Sequence, residues 1–151
     1  MTVLQSIGVD WRDLRMISER YMNQEAVVRI AGGESDSGII GRGVRQECPL
    51  SPLLFSIYVE MMMKEVLEHV EEGIWVGGEL IKDVKYADDQ GMVANMEAGV
   101  QSLMDRVNTT AKHYDMKINI KKTKAMVVSR NGGERVNIAV EDQSVEQVGR
   151  F

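Results

Sequence analysis

Two adjacent carboxylates, Asp88 and Asp89, are the side chains of this sequence best suited to holding a metal ion. Apolar or aromatic residues precede the pair at 84, 86 and 87 and follow it at 92 to 94, which predicts two short strands that reverse at the acids. Carboxylate oxygens are the hard ligands that Mg²⁺ prefers. Aspartate is also a favoured turn residue, so an ordinary surface β-turn explains an isolated pair equally well.

Two further segments, one on either side of the acids, carry their own patterns. Residues 41–55 read G-R-G-V-R-Q-E-C-P-L-S-P-L-L-F, and residues 116–124 read M-K-I-N-I-K-K-T-K. In the first segment Ser51 precedes Pro52, which favours a helix start with a hydroxyl cap and a proline in the first turn. The order is therefore a loop leading into a helix, then the acidic pair, then a basic turn.

In this order the three segments resemble motifs B, C and D of reverse transcriptases, most closely those of non-LTR, LINE-like retrotransposons. The usual family form of the first motif is G-V-R-Q-G-C-P-L-S-P-L-L-F, from which this chain departs at Glu47. The residues Tyr86-Ala87-Asp88-Asp89 match the catalytic box of the family. Motif D of the family commonly has a glycine and a leucine where this chain has Asp115 and Met116.

The resemblance implies an α+β fold: a partial polymerase palm with a split βαβ (ferredoxin-like) arrangement and a Y-A-D-D hairpin. The family strand that carries the first catalytic Asp, and the family's helical thumb, have no counterpart in these residues. One partial reverse transcriptase domain is expected over 1–151, with the fingers and palm remainder at 1–40, palm motifs at 41–130 and the palm–thumb connection from 131. Helices are predicted at 10–22, 51–71 and 96–114, and strands at 26–30, 38–40, 74–76, 118–120, 125–128 and 136–140. In the first helix Asp10 is the expected cap, and an apolar stripe is expected at Trp11, Leu14, Ile17 and Tyr21.

The activity implied by the resemblance is nucleotidyl transfer from deoxynucleoside triphosphates onto a primer 3′-hydroxyl, directed by an RNA template. Two Mg²⁺ ions, or Mn²⁺ in their place, would stabilise the attacking and leaving oxygens. Asp88 and Asp89 are the expected catalytic residues and metal ligands. The expected nucleotide and template contacts are Arg45, to phosphate, and Gln46, by hydrogen bonding, together with Tyr86, Lys122 and Lys124. A solvated loop at 45–46 and a merely exposed basic turn at 122–124 remain alternative explanations.

Glu47 is the departure from the family pattern with the largest expected effect on activity. A glycine permits close backbone approach and unusual dihedral angles, and a side chain obstructs both. A carboxylate added beside bound phosphates would also repel them.

The composition restricts the function classes further. The chain has 151 residues with 18 Lys and Arg against 23 Asp and Glu, and its net charge of −5 argues against free-standing nucleic-acid binding. A single cysteine excludes an internal disulfide, and no apolar run is long enough to span a membrane. We expect an intracellular protein, nuclear or cytoplasmic, that self-associates through an exposed sheet edge.

Three interpretations of the function remain open at this stage. The first is a polymerase palm that is inactive alone, because the first catalytic Asp is absent from these residues. The second is a catalytically dead retrotransposon remnant that acts, if at all, as a protein-interaction module. The third is an unrelated small α+β protein with an ordinary acidic hairpin.

Overall fold

The computed structural model describes residues 1–41, 43–86, 89–130 and 132–150. Helices and short strands follow one another throughout, so the predicted α+β class is confirmed. The chain falls into two compact units, Met1–Met61 and Met62–Phe151. The single partial domain with its three subdivisions stays a prediction.

The first unit begins with two helices, α1 (Thr2–Ser6) and α2 (Trp11–Tyr21). The predicted cap of α2 is present, since Asp10 Oδ1 accepts a hydrogen bond from the Arg12 backbone N–H at 2.9 Å. Three residues of the predicted apolar stripe on α2 are half-buried, namely Leu14, Ile17 and Tyr21. The fourth, Trp11, is 63% exposed and lies beneath the Arg12 guanidinium. The stripe therefore packs from the second turn of the helix onward.

Four short strands follow α2 and form two exposed antiparallel pairs. They are β1 (Gln24–Ala26), β2 (Arg29–Ile30), β3 (Gly33–Glu34) and β4 (Gly38–Ile40), and β1 pairs with β4 while β2 pairs with β3. The strand predicted at 26–30 is thus divided in two.

Helix α3 (Ser51–Leu67) begins at the predicted residue and ends four residues before the predicted end. The next turn closes at Val70, whose N–H donates to the Leu67 carbonyl, and His69 adopts a φ of +57°. A left-handed residue cannot continue a right-handed helix, which explains the earlier end. Arg106 donates to the Val66 and Glu68 carbonyls at 2.9 and 2.8 Å and satisfies acceptors that the helix end leaves open.

Two hairpins follow in the second unit. The first consists of β5 (Ile74–Val76) and β6 (Glu79–Ile81), and the second of β7 (Asp83–Tyr86) and β8 (Asp89–Met92). A glycine is required at position 73, because a Cβ there would lie 2.6 Å from the Ile81 carbonyl oxygen. This close approach holds the start of the β5–β6 hairpin in place.

The core of the second unit lies between helix α4 (Glu97–His113) and the strands that follow it. These strands are β9 (Lys124–Met126), β10 (Ala139–Val140), β11 (Gln143–Ser144) and β12 (Glu146–Val148). The described strands make only two-stranded sheets, all antiparallel except β9 with β12. The split βαβ arrangement therefore stays a prediction, and residues 118–120 are not a strand. One buried cluster here consists of Met104, Ile138, Val140 and Val145, with Ile118 and Ile120 among the half-buried residues against it, and Met63, Val66 and Leu103 are buried elsewhere in the unit.

In the part of the chain that the structure describes, each helix is too short or too polar to cross a membrane.

Candidate functional site

The β7–β8 hairpin carries the predicted catalytic box. The two strands pair antiparallel with Tyr86 directly opposite Asp89. Ala87 and Asp88 lie outside the described residues, so Asp89 is the one member of the predicted acid pair whose surroundings can be reported. Two paired strands thus flank the box, and the Y-A-D-D hairpin itself stays a prediction.

One face of this hairpin is open to solvent. Since alternate residues of a strand point to opposite faces, Val84, Tyr86, Asp89 and Gly91 share this face. Tyr86 is 82% exposed and Val84 59% exposed. An aromatic ring and a carboxylate thus stand side by side on an uncovered surface that a ligand can reach.

The opposite face of the hairpin is half-buried and polar. The Asp83 carboxylate lies 3.2 Å from Lys85 Nζ, an ion pair that lacks the alignment of a hydrogen bond. Among the described residues, Asp83 Oδ2 and Gln90 Oε1 are buried side-chain oxygens without a hydrogen-bond partner. The Asp83–Lys85 ion pair lies on this half-buried face. The opposite, open face is therefore the surface that a ligand can reach.

The donor chemistry of the open face suits a hard divalent cation, although the ligand set is small. Asp89 supplies carboxylate oxygens, which Mg²⁺ and Mn²⁺ accept. No group of three His, Cys, Asp or Glu side chains able to hold a metal occurs within the described ranges. Asp89 therefore fits as one ligand of a site whose other ligands must come from Asp88 or from outside these residues.

The loop before α3 presents Arg45 and Gln46 as exposed side chains, as a template or phosphate contact requires. Three groups hold the end of this loop: Tyr21 Oη lies 2.8 Å from Ser51 Oγ and 3.3 Å from Cys48 Sγ. The hydrogen bond with Tyr21 is the largest cause that lowers the pKa of Cys48 to about 7. The sequence gives no signal for this three-residue cluster, because Tyr21 is distant along the chain from its partners.

Glu47 has a φ of +58°, in the left-handed region. The family glycine predicted for this position would adopt that conformation without a steric penalty, whereas a residue with a Cβ pays one. The departure at Glu47 therefore strains the backbone as well as adding charge.

The two predicted lysines of the basic turn have different surroundings. Lys124 is paired with Glu146 across the parallel β9–β12 strands, and its side chain is 27% exposed. Lys122 is exposed, and its backbone N–H donates to the Asn119 carbonyl at 3.0 Å. Lys122 is consequently the better placed of the two for an incoming anion.

The site residues divide between the two units. Arg45 and Gln46 adjoin each other in the first unit, and Tyr86 and Asp89 are cross-strand neighbours in the second, which also contains Lys122. Arg42, the other basic residue of the loop, lies outside the described residues.

The family model "Reverse transcriptase (RNA-dependent DNA polymerase)" matches residues 3–149. The chain therefore belongs to the reverse transcriptase family. The predicted resemblance to the enzymes of non-LTR retrotransposons is confirmed by its relatives.

These relatives are Pol polyproteins of R2 elements. The chain is 30% identical over 108 residues to the "Retrovirus-related Pol polyprotein from type-1 retrotransposable element R2" of Nasonia vitripennis, a match covering 72% of this chain and 10% of that protein. The protein of the same description from Popillia japonica is 26% identical over 131 residues, covering 86% of this chain and 18% of the relative. The "type-2 retrotransposable element R2DM" polyprotein of Drosophila melanogaster is 29% identical over 91 residues, 60% of this chain and 8% of the relative. The matches thus span less than a fifth of each relative's length.

Proposed function

We propose that this chain forms the palm region, motifs B to D, of an RNA-directed DNA polymerase that adds deoxynucleotides to a primer 3′-hydroxyl. The observation that carries the proposal is the open face of β7–β8, where Tyr86 and Asp89 lie together within the segment that matches the family. The template would be RNA and the primer DNA. Such a polymerase would work inside the cell, in the nucleus or the cytoplasm.

Each site residue has a role in this proposal. Asp88 and Asp89 hold Mg²⁺ or Mn²⁺ ions, which when bound stabilise the attacking and leaving oxygens of the transfer. Tyr86 offers its exposed ring to the nucleotide or the template strand. Arg45 contacts phosphate and Gln46 makes hydrogen bonds, because both side chains are exposed in the loop.

The triphosphate is assigned to Lys122 in preference to Lys124. The charge of Lys124 is already opposed by Glu146. Using Lys124 for a nucleotide would require that ion pair to break, whereas the exposed ammonium group of Lys122 is available as it stands.

We further propose that the 151 residues do not catalyse transfer by themselves. A tight two-metal site shares several carboxylates, and the described residues contain no third ligand for such a site. The missing carboxylate would be the first catalytic Asp of the family, supplied by a longer chain.

Primer extension tests the proposed inactivity directly. The purified chain, given an RNA template, a DNA primer and deoxynucleotides with Mg²⁺ or Mn²⁺, is expected to add no nucleotide. Extension that disappears in Asp88→Asn would contradict the proposed inactivity and at the same time establish the catalytic role of Asp88.

Manganese binding tests the metal role separately from activity. Paramagnetic Mn²⁺ is expected to broaden the NMR signals of Tyr86 and Asp89 in the wild type and not in the Asp88→Asn/Asp89→Asn double variant. Asp142→Asn, at an exposed carboxylate of the β10–β11 turn, is the matched control and should bind like the wild type. Equal broadening in all three proteins would contradict the assigned ligands.

A catalytically dead remnant is the second candidate, and one observation favours it. Glu47 and Asp115 both occupy left-handed positions, with φ of +58° and +53°, where the resemblance predicts glycine. The absence of glycine at two positions that favour it indicates that selection no longer preserves the backbone geometry of the site. An in-frame strand with an Asp encoded upstream would favour the polymerase, and a stop codon or frameshift there would favour the remnant.

A further inference from the structure

The strand β5 carries three consecutive exposed apolar residues. Trp75 is 74% exposed, Val76 56% and Ile74 38%, so both faces of this strand are uncovered. Large aromatic side chains with this exposure are typical of surfaces that bind another molecule. The motif assignments of the polymerase give this strand no role.

The backbone of β5 also has a free edge. Gly77 and Gly78, with φ of +60° and +91°, connect the strands through a two-residue turn, so Val76 and Glu79 form the hydrogen-bonded pair next to it. Because such pairs alternate with non-hydrogen-bonded ones, the N–H and C=O of Trp75 point away from β6. Within the described part of the chain, no backbone hydrogen bond joins Trp75 to another segment.

The segment around this edge carries more acidic than basic side chains, although Lys64 and Lys82 flank it and Arg106 donates to the Val66 and Glu68 carbonyls. Residues 65–81 contain five glutamates and no lysine or arginine. Glu79 lies directly opposite Val76 across the hairpin, and Glu71 is exposed just before it. An excess of acidic side chains disfavours a phosphate backbone as the occupant of this edge. Pairing of this edge with the β5 edge of a second copy is also disfavoured, because the two edges carry the same glutamates.

We propose that β5 is a docking edge for an extended, Lys- or Arg-rich segment of a partner protein, which adds as a strand beside Trp75. The partner's backbone pairs with the free N–H and C=O of Trp75, its alternate apolar side chains cover Trp75 or Val76, and its basic side chains meet Glu71 and Glu79. This mode of binding is strand addition. Main-chain hydrogen bonds supply the affinity, and the opposite charges of the side chains supply the selectivity.

Tryptophan fluorescence of the full chain tests the docking edge. Trp11→Phe leaves Trp75 as the sole tryptophan. A short peptide of alternating lysine and valine is expected to shift its emission to the blue in a saturable, salt-sensitive manner. The counterpart of alternating glutamate and valine, and a lysine–valine peptide with every backbone nitrogen methylated, which cannot donate ladder hydrogen bonds, are expected to leave the emission unchanged.

Charge reversal provides the matched variants. Glu71→Lys/Glu79→Lys is expected to weaken binding of the lysine–valine peptide by about tenfold, since each surface pair changes from attraction to repulsion. The same double variant should bind the glutamate–valine peptide. Asp142→Lys, an exposed acid in the β10–β11 turn, is the control and should behave like the Trp11→Phe parent. Circular dichroism verifies that each variant is folded.

Four outcomes would overturn the proposal. They are no response to the lysine–valine peptide, an equal response to its N-methylated counterpart, tighter binding of an RNA oligonucleotide, and an emission shift that depends only on protein concentration. The last would identify a second copy as the occupant. None of these results bears on the metal and primer-extension tests of the polymerase site.

Discussion

Among single residues, Cys48 departs most from the behaviour expected of its type. A free cysteine ordinarily packs as a small hydrophobe, whereas Cys48 is half-buried with its sulfur 3.3 Å from the Tyr21 hydroxyl. That hydroxyl donates to the thiolate and stabilises it, and the pKa of Cys48 falls to about 7. The loop that carries Arg45 and Gln46 therefore contains a thiol that ionises near neutral pH.

Alkylation kinetics report this ionisation. Because the thiolate is the reactive form, the rate of Cys48 modification by iodoacetamide should rise with pH and reach half its maximum near pH 7. Tyr21→Phe removes the donor and should move the midpoint toward the ordinary thiol value of about 8.5. Tyr86→Phe, at an exposed tyrosine in the other unit, is the control. The same midpoint in wild type and Tyr21→Phe would show that the hydroxyl has no influence.

Substitutions of Glu47 test whether the backbone of the same loop is strained. Relief of a left-handed φ on a side-chain-bearing residue is worth about 1 kcal/mol, so Glu47→Gly should raise the free energy of unfolding by roughly that amount in a urea titration. Glu47→Ala removes the carboxylate and keeps the Cβ, and it should give no such gain. Equal stabilisation by both variants would assign the effect to charge and contradict the strain.

At the scale of elements, the end of α4 shows why a family glycine is expected at position 115. The Met116 N–H donates to the Ala111 carbonyl at 2.8 Å and the Asp115 N–H to the Lys112 carbonyl at 3.2 Å. These two bonds define a Schellman motif, whose left-handed residue is usually glycine. Asp115 fills that position with a φ of +53°.

Asp115→Gly should therefore stabilise the chain, although by less than the change at Glu47. Aspartate tolerates the left-handed region better than glutamate does, so a gain of about 0.5 kcal/mol in the free energy of unfolding is expected. Asp115→Asn tolerates the same φ and should leave stability nearly unchanged. If Asp115→Gly lowered the unfolding midpoint, the native carboxylate would have a stabilising contact that the backbone geometry does not reveal.

Element positions followed from the sequence where the signal is local. The cap at Asp10 and the helix start at Ser51 are set by neighbouring residues and appear as predicted. The end of α3 was predicted four residues too late, since it depends on the left-handed φ of His69 and on carbonyl contacts from Arg106, which is distant in sequence. Ile118 and Ile120 pack on the core without strand pairing, which an alternating apolar pattern cannot distinguish from a strand.

For the molecule as a whole, family membership was predictable and the assembled site was not. Ordered motifs are read directly from residue types, and the family match over 3–149 confirms them. The Lys124–Glu146 pair and the Tyr21–Cys48–Ser51 cluster join residues far apart in the chain, so only the folded structure reveals them. Tyr86 and Asp89, which the local motif indicates as site residues, lie on the open face of β7–β8, and their role stays a proposal.

Unpaired sheet edges govern the expected behaviour of the whole chain in solution. All described sheets have two strands, so each strand presents one unpaired edge. In the first unit the strand β4 adds exposed apolar surface to its edge, with Ile39 79% exposed. Apolar edge strands pair with other chains unless a charge or a bulge prevents it. We therefore expect the isolated chain to self-associate at micromolar concentration.

Light scattering coupled to size exclusion measures this association. Ile39→Lys places a charge on the β4 edge and should shift the population toward monomer. Val128→Lys is the matched control, because Val128 is still more exposed, at 87%, yet lies outside the strands, and it should leave the oligomer unchanged. A sharp monomer peak for the wild type would contradict the prediction, and equal dissociation by both lysines would assign the association to general hydrophobicity instead of the strand edge.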